Sequence, residues 1–187
     1  MLNSLADMCI CLEATFSTIN SRIKNFPREE YPAVMLDHLK AIRLDYTHGV
    51  RSTQAAEKYA RYYVTFFYLQ FGLFNIVNIV DAHGDDKLAR LYWIIYLVLD
   101  FSLLIYVTVR VVSVNQLSSQ GLEDLYELSY FMRNQHLQHE NDIFINRMLW
   151  KNVGFTFGNL FIINTNFITS MFTLALTLVI TLANFLY

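Results

Sequence analysis

Three features of this chain have residue types and spacing that could do chemistry. His136, His139 and Glu140 sit at the spacing that lets one helix present several metal ligands. Asp100 is a lone carboxylate within the run Leu91 to Val109, which carries no other formal charge. In the tail, Thr169, Thr173, Thr177 and Thr181 recur every fourth residue and lead to Asn184. The first would suit a metal-dependent reaction and the second a buried acid that meets a ligand or an ion. The third is a row of oxygens able to line a water-filled path.

The histidine pair does not add up to a metal centre. The remaining histidines, His38, His48 and His83, are scattered, and a solvated helix face explains His136 and His139 better. No nucleophile motif, phosphate loop or closed Cys/His set accompanies them. The chain is therefore expected not to be an enzyme, and no metal or cofactor is expected. A carboxylate such as Asp100 is costly at mid-membrane and faces a cavity or a partner. Its role is either ligand or ion contact, or a bond to Asn75 or Asn78 on a neighbouring helix.

These residues must be positioned by membrane helices. Hydrophobic residues make up 55% of the chain and charged ones only 16%, below the quarter usual in soluble domains. Phe (15) and Tyr (12) are abundant, which suits lipid contact and interfacial belts. A net charge of −2 gives no basic surface for nucleic acid. Cys9 and Cys11, two apart, face different directions on a helix and cannot easily bridge. The N-terminus lacks the basic region of a secretory signal, and Asp7 interrupts it.

Beyond Lys151 the last 36 residues carry no formal charge. A span needs about 20 residues, so this tail should break once, near Gly154, Gly158 or Asn164. At ~100° per residue, Asn159, Thr165, Asn166, Thr169, Ser170, Thr173, Thr177, Thr181 and Asn184 fall on one side, with Asn164 outside the arc. Such a stripe either glues helices together or lines a pore.

Two more spans run from Tyr62 to Val80, free of charge, and from Leu91 to Val109. The short stretch 81–90 between them makes an antiparallel hairpin. Arg22, Lys24, Arg43, Arg51, Lys58 and Arg61 precede the first span, and Arg110, Arg133, Arg147 and Lys151 follow the second. Positive-inside bias puts both segments in the cytosol, and the loop and the C-terminus outside.

The cytosolic pieces also read as helices. Leu2 to Lys24 forms one, and its first half could be the inner end of a preceding span. Pro32 suits a first helical turn, with Ala33 to Arg61 continuing into the first span. Ser118-Ser119-Gln120-Gly121 breaks the pattern before an amphipathic helix bearing Leu122, Leu125, Leu128 and Met132. The fold class expected is all-α: a polytopic membrane protein with three transmembrane helices and cytosolic helical extensions. Its divisions are 1–58 (end of a preceding span and cytosolic helices), 59–114 (transmembrane hairpin), 115–157 (cytosolic helices) and 158–187 (last span).

The tail from Thr177 to Phe185 resembles the last-helix signature of arthropod gustatory receptors, Thr-Tyr, five hydrophobic residues, then Gln-Phe. Thr177 and Phe185 match, while Leu178 stands for the tyrosine and Asn184 for the glutamine. Gly158-Asn-Leu-Phe161-Ile-Ile-Asn164 resembles that family's approach to the helix, and Phe16 to Ile23 its cytosolic continuation of span four. The resemblance implies a plasma-membrane, seven-span chemoreceptor that assembles as a homo- or hetero-tetrameric, ligand-gated cation channel. The last helix would then line the pore through Thr169, Thr173, Thr177, Thr181 and Asn184. The cytosolic helices would form an anchor region, and the chain would be the C-terminal portion of the receptor.

In that topology Asn75, Asn78, Asp100 and Tyr96, with Gln70, Phe71, Phe74, Tyr92 and Trp93, would hold a small-molecule ligand below the external loop. The alternative is a non-channel three-span scaffold or a modulatory truncated protein. The partners expected are the bilayer, related subunits and the ligand.

Overall fold

The computed structural model describes residues 2–27, 31–81, 87–150 and 153–186. Within its helices, the side chains of 75–81, 87–90, 174–176, 178–179 and 181–186 lie outside that description, as do those of Leu2, Leu73, Ile94 and Trp150. The described chain is all-α apart from one short strand pair. Its helices are α1 (Leu2–Lys24), α2 (Pro32–Asp81), α3 (Lys87–Gln120), α4 (Leu122–Phe131), α5 (Gln135–Trp150) and α6 (Thr165–Leu186). Strands β1 (Thr156–Phe157) and β2 (Phe161–Ile162) pair antiparallel between α5 and α6.

Leu5, Cys9, Leu12, Phe16, Ile19 and Ile23 repeat at alternating spacings of three and four, which puts them on one face of α1. All six are buried. This face packs into the groove between α2 and α3. Cys9 is buried and Cys11 exposed, and both thiols are free.

Helix α1 runs antiparallel to α2. Phe16 meets Tyr46 at 5.9 Å between ring centroids, Phe26 meets His38 at 5.6 Å, and Arg22 pairs with Asp45. The approach is close at Gly49, where a Cβ would lie 3.2 Å from the Phe16 ring. Helix α3 runs parallel to α1 in fixed register. Arg110 bonds Glu13 at 2.9 Å, and the Asn20 amide donates to the Leu117 carbonyl at 2.8 Å. Helix α2 begins at Pro32 and continues unbroken into the first apolar run, as the sequence predicts.

Gly121 lies between α3 and α4 where the chain comes close to α1. A Cβ would come within 2.8 Å of Asn20 Oδ1 and 2.9 Å of Ile23 Cδ1. After the break, Leu125 and Leu128 of α4 are buried, and Asn141 of α5 donates to the Leu125 carbonyl at 3.0 Å. Helix α5 lies parallel to α2. Phe144 contacts Tyr46 at 5.4 Å, and Arg43 is ion-paired to Glu140. Burial pushes the Tyr46 hydroxyl up to about 12 against the pull of Arg147.

One stretch of the described residues, Leu91–Phe131, holds a window long and apolar enough to cross a membrane. Only 18% of that window is buried, so it is not the core of the bundle. Leu91, Ile95, Val98, Leu99, Ile105 and Val109 of α3 are exposed instead.

Candidate functional site

The uncharged tail breaks where glycine and asparagine allow a reversal. Gly158 and Asn159 take positive φ, 57° and 63°, the left-handed region those two residue types adopt at least cost. The Leu160 amide bonds the Phe157 carbonyl at 3.0 Å, and the Ile163 amide bonds Phe155 at 2.9 Å. Asn164 then caps α6, its Oδ1 accepting from the Phe167 amide at 3.0 Å. The last helix therefore starts at Thr165 rather than at 158, and Asn159 lies in the turn, off the polar stripe of the helix.

Helix α6 has two unlike faces. Phe167 is buried, and Ile168 and Met171 pack partly against the core. Thr165, Asn166, Thr169, Ser170, Thr173 and Thr177 are exposed. Their hydroxyls form a ladder: Thr169 donates to the Thr165 carbonyl at 3.2 Å, Thr173 to Thr169 at 2.9 Å, and Thr177 to Thr173 at 2.8 Å. A threonine that spends its proton one turn back is satisfied without a neighbouring helix. Thr165 also accepts the Gln116 side-chain amide of α3 at 3.1 Å, so the foot of the stripe touches the bundle, while Thr169 and Thr173 are exposed above it. The side chains of Thr181, Asn184 and Phe185 lie outside the described residues.

A clamp holds the base of α6 to α2. Arg61 donates to both oxygens of Glu57, from Nε and Nη2, each at 2.7 Å. The Thr156 hydroxyl of β1 donates to the same carboxylate. One turn of helix further on, Thr65 Oγ1 accepts the Gly158 amide at 2.8 Å and donates to the Arg61 carbonyl at 2.8 Å. The Arg61 bonds hold the Glu57 carboxyl below the usual carboxylate range, against its burial, and the Thr156 bond adds to them. Phe157 stacks on Phe161 at 5.3 Å, and Phe167 meets Phe161 at 5.5 Å and Tyr68 at 5.3 Å. This aromatic collar ties the turn, α6 and α2 together. Sequence reasoning missed the clamp. Its signal was Glu57 four residues before Arg61, the last acid ahead of the uncharged run.

The described aromatic residues of the expected ligand set make two separate groups of ring contacts. Phe71 packs edge-on against Phe101 at 5.0 Å, whereas Trp93 contacts Tyr92 at 5.7 Å and Tyr96 at 6.1 Å on its own helix. Tyr96 is 40% exposed and Phe74 54%. Asp100 is half-buried on α3. The side chains of Asn75 and Asn78 lie outside the described residues. His136 and His139 are exposed, as expected of a solvated face. Glu140 does not share that face; it turns inward to Arg43. Among the described residues no group of three or more His, Cys, Asp or Glu side chains converges.

No protein-family model and no curated protein matches the chain. Any function must be read from the arrangement itself. That arrangement is a helix with an outward hydroxyl face, fastened at its base to a long helix that continues into the rest of the bundle.

Proposed function

We propose that the chain is a subunit of a gustatory-receptor-like, ligand-gated cation channel of the plasma membrane, not an enzyme. The second half of α2, α3 and α6 cross the bilayer, and four related subunits, identical or not, set the polar face of α6 around a pore. One observation carries this reading: the threonines that repeat every fourth residue on α6, Thr169, Thr173 and Thr177, are exposed along one helix. The exposed apolar face of α3 supports the bilayer as its surroundings. In this arrangement the cytosolic end holds α1, α4, α5 and the first half of α2, and the C-terminus is external.

Patch-clamp recording, with this segment in a full-length receptor context, tests the pore. Thr173→Leu should change unitary conductance or ion selectivity, whereas Phe172→Leu, on another exposed side of the helix, should leave both intact. Equal effects at the two positions would remove the pore from α6.

A second reading has its own support. Each ladder hydroxyl, its proton given to its own helix, keeps a lone pair that can accept from a neighbouring helix, so the stripe would serve as a contact face in a non-conducting three-span scaffold or modulatory subunit. That reading expects no ligand-evoked current with any related subunit. It also expects Thr169→Val to weaken helix association by about 0.6–2 kcal/mol.

A further inference from the structure

Helices α2, α3 and α6 leave a crevice of about 190 Å³ between them, bottomed by Tyr68, Thr108 and Phe167, all buried. Phe101, Leu104 and Met171 form its walls. At its mouth Ile105, Val109 and Phe172 are exposed, so it opens sideways between α3 and α6. An apolar cavity on the order of 150 Å³ stays dry and takes up a benzene-sized molecule. This one has room for a single substituted ring.

Its floor has a directed polar group. Thr108 donates its only hydroxyl proton to the Leu104 carbonyl at 2.7 Å. The 2.9 Å bond between Tyr68 and Thr108 must then run from the tyrosine to the threonine. That leaves the Tyr68 oxygen an acceptor, on a residue that lines the apolar crevice. Among the described residues no charged side chain lines the crevice, so a charged ligand would sit there unpaired, at high cost. The Phe101 ring and the Met171 thioether favour an aromatic occupant.

We propose that this crevice binds a small neutral phenol, its ring between Phe101, Leu104 and Met171 and its hydroxyl donating to Tyr68 Oη. The occupant would touch the inner face of α6, opposite the threonine ladder. An effect on current rests on the channel reading, but binding does not.

Fluorine NMR on the full chain in nanodiscs tests it with para-fluorophenol and fluorobenzene as probes. Saturable binding of the phenol, about 2- to 10-fold tighter than fluorobenzene, is expected. Tyr68→Phe should erase that preference while keeping the shape of the site, and Leu104→Trp should fill it and abolish saturable binding. Uptake no greater than in protein-free nanodiscs would overturn the site, and equal affinity for both probes would overturn the hydroxyl recognition. Magnetisation transfer to the Met171 methyl from lipid chains rather than from added phenol would assign the crevice to an acyl tail and likewise overturn it. If Leu104→Trp does not fold, the Tyr68→Phe comparison still decides. A chain that conducts without binding phenol loses only this site; one that binds phenol and never conducts loses only the channel reading.

Discussion

Arg61 stabilises the ionised form of Glu57, so this residue links stability to pH in a known direction. Its carboxyl lies below the ordinary range in the folded chain. The stabilisation is therefore fully present above the unfolded-state value and is lost as the pH falls through the folded one. Glu57→Gln should destabilise the chain by about 1.5–3 kcal/mol at neutral pH, the worth of hydrogen bonds to a charged group. Thermal unfolding in detergent should show the gap between wild type and variant closing in acid. A gap that stayed constant from neutral to strongly acid conditions would rule out this assignment. At this scale the sequence was read unevenly. Asp100 stands out because its surroundings are uncharged, whereas Glu57 sits among Lys58, Arg61 and other polar residues. Its partner Thr156 is remote in sequence, and only the fold brings them together.

The start of α6 is set by one side chain. Asn164→Ala removes the acceptor for the Phe167 amide and should cost about 0.5–2 kcal/mol. Amide exchange should quicken in the first turn of α6 and not in α5, which has its own cap in Asn134. Uniform quickening across both helices would mean that Asn164 acts through global stability instead. Most helices were legible because their apolar residues repeat at helical spacing, as in α1, or because a helix starter such as Pro32 marks the boundary. The hairpin was not. Phe155 to Ile163 holds only Thr156 and Asn159 as polar residues and is too short to show a strand period, so its pairing is not marked in the sequence. What was legible was the break itself, in Gly158 and Asn164. The site was half legible: the threonine spacing gave the stripe, but the side it faces is decided by Phe167 and its collar.

At the scale of the molecule, α1, the first half of α2, the end of α3, α4 and α5 all meet at one end of the bundle. In the proposed topology these elements lie on one side of the bilayer. A glycosylation acceptor inserted between Ala82 and Asp86 should be modified in microsomes, and one at Arg133 should not. Modification at both would refute the proposed topology. The same architecture gives α2 a mechanical property. Its 50 residues, at ~1.5 Å each, make a rod about 75 Å long, and the Glu57 clamp grips it close to the midpoint. Pivoting by about 5° there swings each tip by about 3 Å. A helix of that length held near its middle would carry a tilt at one end to the other, as a lever does about a fulcrum.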